Sequence, residues 1–182
     1  IKYSFYRVSS EDVGDPLEQI FDTTGKTSTQ QLFAEWQYKP SNNIILNAGL
    51  QYFRLAHNNT SALEPRLSAK WNINPKSNIA IGYGLHSQMQ TMNVYFAQEK
   101  LPNGEIFLPN KNLDLTKAHH YVFSYSRRVA KDLQAKAEMY YQQLFDVPVS
   151  IYDSSTLSTL NVQSEYITEP LENTGTGRNY GV

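Results

Sequence analysis

Apolar side chains recur at every second position through most of this chain, and that period constrains its fold more than any other feature. A repeat of two places side chains on one face of an extended strand. Leu63, Pro65, Leu67, Ala69, Trp71 and Ile73 form one such face, against Glu64, Arg66, Ser68, Lys70 and Asn72 on the other. In the next segment Ile79, Ile81, Tyr83 and Leu85 oppose Ala80, Gly82, Gly84, His86 and Gln88. Asn74-Pro75-Lys76-Ser77-Asn78 between them is dense in turn formers, so the pair reads as a hairpin with one apolar and one polar or small face. The pattern recurs in Leu32, Ala34, Trp36 and Tyr38, a turn at 39–43, and Ile44, Leu46, Ala48, Leu50 and Tyr52. Farther on, Tyr121, Phe123 and Tyr125 lead through Ala130-Lys131-Asp132 to Leu133, Ala135, Ala137, Met139 and Tyr141. With a first strand over 1–8 and a last one beginning near Arg178, the expectation is an all-β, antiparallel up-and-down meander of about eight strands.

Connection lengths say what kind of meander this is. Those at 39–43, 74–78 and 130–132 are short, whereas those near 9–26, 56–62, 89–117 and 146–176 are mostly long. Short and long alternate strictly, the rule of outer-membrane barrels, whose periplasmic turns are short and extracellular loops long. No run approaches the roughly 18 apolar residues of a spanning helix, but a tilted strand needs only about 9–11, and the apolar faces run about that far. The formal net charge of −1 gives no bulk attraction to nucleic acid or anionic lipid. With no cysteine there is neither a disulfide framework nor a thiolate metal site. The aromatic content, led by 13 tyrosines, has a place in this picture. Trp36, Tyr38 and Trp71 adjoin short turns, and Tyr52, Tyr121 and Tyr141 stand at the opposite strand ends, like two interfacial girdles. Ordinary core packing in a soluble sandwich or lipocalin-like barrel is the alternative. In the membrane reading, Leu67, Trp71, Ile81, Tyr83, Phe123 and Met139 face lipid, and Glu64, Arg66, Lys70, His86, Lys136 and Glu138 face the lumen.

Candidate chemistry is sparse. His119 and His120 are adjacent on a strand and point to opposite faces, so they do not share one metal. His86 shares the polar face with His120, yet a site there calls for carboxylate ligands in range. The simpler reading is lumen or rim histidines with hydrogen-bond partners. The mixed charges of Glu64, Arg66, Lys70, Lys136 and Glu138 suit a water-filled wall better than an acid–base pair. Gly175-Thr176-Gly177 with Gly181 lacks dinucleotide-binding spacing, and no Ser-His-Asp constellation can be named. We expect no catalytic, cofactor-binding or metal-binding residues. The long loops are the informative segments. Met92, Tyr95, Phe96 and Phe107, with Tyr152 and Tyr166 in the last loop, are too apolar for purely solvated chain. They either pack over the barrel mouth or meet substrate there.

Five stretches carry a family resemblance. They are Leu63-Glu64-Pro65-Arg66-Leu67-Ser68, Ile81-Gly82-Tyr83-Gly84-Leu85-His86-Ser87-Gln88, the run 112–121 from Asn112-Leu113-Asp114 to His119-His120-Tyr121, the run 140–149 containing Phe145-Asp146-Val147-Pro148, and the run 173–182 opening with Asn173-Thr174-Gly175-Thr176-Gly177. In this order the chain, from about residue 27 onward, resembles the C-terminal barrel of TonB-dependent receptors. The resemblance implies a barrel of about 22 strands with a separate N-terminal plug, worked by an inner-membrane energy-transducing complex. It implies outer-membrane lipid, the plug and TonB as partners, a surface lipoprotein as a further one, and a Gram-negative bacterial outer membrane as the location. The function it implies is uptake of a nutrient complex: a metal chelate, a glycan or a peptide. Residues 1–182 are then expected to be part of one barrel domain, with unpaired edges near Ile1 and Val182 and with the plug and remaining strands elsewhere. A soluble ligand-binding β-barrel is the alternative function, and an outer-membrane barrel enzyme a weaker one.

Overall fold

The computed structural model describes residues 2–7, 18–24, 26–161, 167 and 169–182. Strands β1 (Lys2–Arg7) and β2 (Glu18–Thr24) pair antiparallel as a two-stranded sheet. The main sheet contains β3 (Thr29–Ser41), β4 (Ile44–Leu55), β5 (Ser61–Asn74), β6 (Ser77–Gln88), β9 (Thr116–Ala130), β10 (Leu133–Ser150) and β11 (Leu171–Gly181). Its order is β11-β10-β9-β6-β5-β4-β3, every neighbour pair is antiparallel, and chain order is kept throughout. A one-turn helix α1 (Met92–Tyr95) and a small hairpin of β7 (Glu99–Lys100) and β8 (Ile106–Phe107) interrupt the order, both within the connection from β6 to β9. The result is the expected all-β up-and-down meander, with β3 and β11 unpaired with each other.

Three expectations need correction. The stretch 9–26 is not one long connection, because β2 lies in it. Its Ile20 and Phe21 are adjacent, which gives no two-residue period to read. The edges of the main sheet are therefore β3 and β11, not a strand near Ile1. The last strand begins at Leu171 rather than near Arg178. Residues 172–177 are polar or glycine, and it is pairing with β10, not hydrophobicity, that holds them extended.

The three short connections share one device. Each is a two-residue turn, at Asn42-Asn43, Pro75-Lys76 and Lys131-Asp132. The residues closing them are Ser41 with Ile44, Asn74 with Ser77, and Ala130 with Leu133, so their numbers sum to odd values. An odd sum carried up the ladder sets the apolar face of one strand against the polar face of the next. A bulge beside each turn prevents this, and the first pairs beyond are Tyr38 with Leu46, Asn72 with Asn78, and Arg128 with Gln134. None of the six turn residues has positive φ, so none of these is the primed turn that fits strand twist unaided. A three-residue connection at Ala130-Lys131-Asp132 would set Val129 opposite Leu133; Val129 is instead the bulged residue, and beyond it Phe123 faces Met139, Tyr121 faces Tyr141 and Ser124 faces Glu138.

At the other end the connections are 56–60, 89–115 and 151–170. Their apolar residues form the core of the molecule. Met92, Val94, Tyr95, Phe96, Leu113, Leu115, Ile167 and Leu171 bury against Phe53 and Leu55 of β4. Leu55 and Leu115 are fully buried, each worth about 1.5–3 kcal/mol in transfer terms.

Candidate functional site

The cross-strand register sorts the main sheet into two chemically different faces. Trp36, Ala48, Leu67, Tyr83, Tyr121, Tyr141 and Tyr180 are successive partners, an unbroken apolar or aromatic row across all seven strands. The neighbouring row runs Tyr38, Leu46, Ala69, Ile81, Phe123 and Met139. Leu67, Trp71, Ile81 and Met139 each leave about half their surface uncovered, at 51–55%. On the opposite face the row is Glu35, Gly49, Arg66, Gly84, His120, Gln142 and Asn179. Lys70, Ala80, Ser124 and Glu138 make another row there, and Lys136 belongs with Ser126 and Asn78. The six residues assigned from the sequence to each face thus stand together on that face.

Side chains on the polar face bond across strands. Gln37 donates to Asn47 at 2.9 Å, and Asn47 to Ser68 at 3.0 Å. Arg66 donates to Gln51 at 3.0 Å and to Glu64 at 3.2 Å. Glu64, nearly fully buried, also accepts Ser87 N–H at 3.1 Å and the Ser87 hydroxyl at 2.5 Å. Lys136 pairs with Glu138 at 2.5 Å on one exposed strand, a contact worth about 0–1 kcal/mol. Arg66 with Glu64 and Lys136 with Glu138 thus pair their charges on this face. On the apolar face the aromatics near the loop end touch instead. Tyr83 and His119 share a hydrogen bond of 3.0 Å between Oη and Nδ1, and His119 stacks on Phe145 with centroids 5.0 Å apart. Tyr121 lies 5.2 Å from Tyr83 and 6.4 Å from Tyr141. Near the turn end, Trp36 and Tyr38 stack at 5.5 Å.

The two adjacent histidines do point opposite ways. His120 meets His86 on the polar face, with ring centroids 4.5 Å apart. Among the described residues no group of three or more His, Cys, Asp or Glu is placed to hold a metal.

The loops seat on the polar side. Phe53 pairs with Ala62, two residues along from the Gln51–Glu64 pair, so the loop core continues the polar face toward the loop end. Met92, Tyr95 and Phe96 are buried in that core. Little of their surface is open to solvent. Phe107 and Tyr152 are exposed, and Tyr166 lies outside the described residues. His57 meets Tyr95 and Phe96 edge-on, with centroids at 5.6 and 4.9 Å. Burial, helped by the Lys111 cation, holds its imidazole below the usual histidine range, and its buried Nε2 has no hydrogen-bond partner among the described residues. Burial pushes the Tyr95 hydroxyl up, although that oxygen accepts Gln90 N–H at 3.3 Å.

Sequence reasoning missed the polar clasps that hold these loops. Asn110, fully buried, donates to the Glu169 carbonyl at 3.0 Å and accepts Leu171 N–H at 2.8 Å. Asn58 donates to the Leu113 carbonyl at 2.7 Å. Asn173 donates to the carbonyls of Asp114 and Asp146 and accepts Asp114 N–H, while Lys117 bridges the carboxylates of Asp114 and Asp146 at 3.2 and 2.9 Å. Asp146 has φ of +53°, at a register shift in β10 where a short polar residue tolerates left-handed backbone. Gly175 sits against the same irregularity, and a Cβ there would lie 2.8 Å from the Val147 carbonyl oxygen. The stretches at 112–121, 140–149 and 173–182 therefore meet at one place. Nothing in their spacing announced it.

A family model described as TonB dependent receptor-like, beta-barrel, matches residues 2–182. No curated protein and no solved structure matches the chain.

Proposed function

The chain belongs to the TonB-dependent receptor β-barrel family, and from that premise we propose that it is part of the wall and extracellular mouth of a pore that takes up a nutrient complex. The family is one of outer-membrane receptors and transporters, which work with a plug domain and TonB in the full-length protein. It is not an enzyme family. In this reading Leu67, Trp71, Ile81, Tyr83, Phe123 and Met139 face lipid. Glu64, Arg66, Lys70, His86, Lys136 and Glu138 stand on the lumen side of the wall, Glu64 beneath its own partners Arg66 and Ser87. Exposed Phe107 and Tyr152 are the loop residues available to a metal chelate, glycan or peptide, or to a surface lipoprotein at the mouth.

The observation that carries this reading is the pair of rows described above. One sheet presents seven apolar or aromatic partners in succession on one side and a hydrogen-bonded polar row on the other. An uncovered apolar face of that extent suits a hydrocarbon solvent. The loop core at the polar side agrees with loops folding inward over a mouth.

Single cysteines in the full-length receptor, kept in outer membranes, test it. Cysteine at Leu67 or Ile81 should react with a lipid-soluble maleimide and resist a charged one. Cysteine at Lys136 or Lys70 should do the reverse. Preferential charged labelling at Leu67 or Ile81 would sink the assignment.

A further inference from the structure

We propose that His86 and His120 form a two-imidazole site for a divalent transition-metal ion on the polar wall. Gly84 is the direct cross-strand partner of His120, and His86 lies two residues along on the same face. A side chain at 84 would normally separate the two imidazoles. Here a Cβ at Gly84 would fall 2.7 Å from His86 Nε2, so the ring occupies the space that glycine leaves open. The two rings thereby come to 4.5 Å between centroids, inclined at 49°. Two imidazoles bound to one zinc through nitrogens about 2.0–2.1 Å away have centroids roughly 4.5–5.3 Å apart, for angles between right and tetrahedral. The observed pair lies at the edge of that window before any ion arrives.

The surroundings favour an open site rather than a closed one. Glu64 is occupied by Ser87 and Arg66, which removes it as a ligand and partly offsets the guanidinium charge beside the pair, so water takes the positions that a carboxylate was expected to fill. A groove of about 400 Å³, lined by His86, His120, Gln51 and Arg66 among others, leaves room for water or another small ligand on the ion. Gln142 reaches Nδ1 of His120 at 3.4 Å, which leaves Nε2 as the metal-facing nitrogen. Coordination there puts the ring proton on Nδ1, and the amide, turned over, accepts it. The site goes beyond the transport reading and does not depend on which molecule is carried.

The experiment is zinc titration of the purified full-length receptor against a zinc-responsive dye, with heat-modifiable migration as the check on folding. His86→Ala and His120→Ala should each weaken one zinc equivalent at least tenfold, and Gly84→Ala should also weaken it by displacing the His86 ring. His119→Ala, on the opposite face, should leave it unchanged. Unaltered affinity in both His86→Ala and His120→Ala, or an equal loss in His119→Ala, would overturn the site. Should the variants misassemble, the unmodified receptor still decides. One equivalent of Cu²⁺ should give an electron paramagnetic resonance spectrum with two imidazole nitrogens, and a spectrum with one or none would refute the proposal. Zinc binding is read without transport, so its failure leaves the membrane reading to the labelling experiment.

Discussion

Asn173 holds Asp114 by both of its backbone groups: its Oδ1 accepts the Asp114 N–H at 2.8 Å and its Nδ2 donates to the Asp114 carbonyl at 3.2 Å. The same amide reaches the Asp146 carbonyl at 2.8 Å, so one side chain ties the 89–115 loop to the strand pair β10–β11. Asn173→Ala leaves these groups without partners. Local stability of the loop should fall by about 1–3 kcal/mol. Amide hydrogen exchange at Asp114 and Leu115 should accelerate accordingly. Unchanged exchange there would show that the clasp is incidental.

The apolar row predicts an asymmetry in tolerance to charge. Ile81→Arg places a guanidinium between Ala69 and Phe123 on the face assigned to lipid. The cost is about 2–4 kcal/mol near the bilayer midplane, and the assembled, heat-modifiable fraction should drop sharply. Lys136→Gln on the other face breaks only an exposed ion pair with Glu138 and should assemble normally. Equal assembly of the two variants would argue against a lipid-facing row.

The bulge at Val129 sets which residues meet across the last tight hairpin. A double variant Phe123→Cys, Met139→Cys should cross-link on mild oxidation, because these positions are direct partners. Phe123→Cys with Tyr140→Cys should not, since those side chains leave opposite faces. Deleting Val129 leaves a regular two-residue hairpin with Arg128 still opposite Gln134, so assembly and the Phe123–Met139 cross-link should persist. Cross-linking of the Phe123–Tyr140 pair in the parent sequence would show a different register.

Acid should loosen the loop core through His57. Its ordinary pKa is near 6.5, and in the packed loop it is lowered, first by burial and then by the Lys111 cation. The open loop therefore binds more protons than the packed one once pH falls below about 6.5. Loop stability should decline as pH falls through that value and through the lowered folded value and then level off, and the dependence should fade above about pH 8. Limited proteolysis across the 89–115 loop, compared between pH 7.5 and 5, reads this out. His57→Phe keeps the edge-on ring contacts with Tyr95 and Phe96 and should flatten the profile. Persistence of the same acid sensitivity in His57→Phe would assign it to another group.

The sequence by itself determined the faces. Alternation is local and exact in period, so the parity of Leu67, Ile81, Phe123 and Met139 was readable, as was the requirement that their partners share it. The sites of the tight turns and of the loop between β6 and β9 were legible for the same reason, since turn formers and breaks in the period are local signals, whereas β2 inside 9–26 carried no such signal. Other features were decided only in three dimensions. The bulges at Ile73 and Val129 reconcile two-residue turns with that parity, a conflict that exists only once two strands pair. The polar start of β11 is held extended by β10. Asn173 meets Asp114 across 59 positions of chain, and Asn110 meets Leu171 across 61. Asparagines look alike in a solvated loop and in a buried clasp, because hydrogen bonding, unlike hydrophobic burial, leaves no period in the sequence. The approach of His86 to His120 was hidden in the same way. It depends on the missing side chain of Gly84, and that absence acquires meaning only when the neighbouring strand is in place.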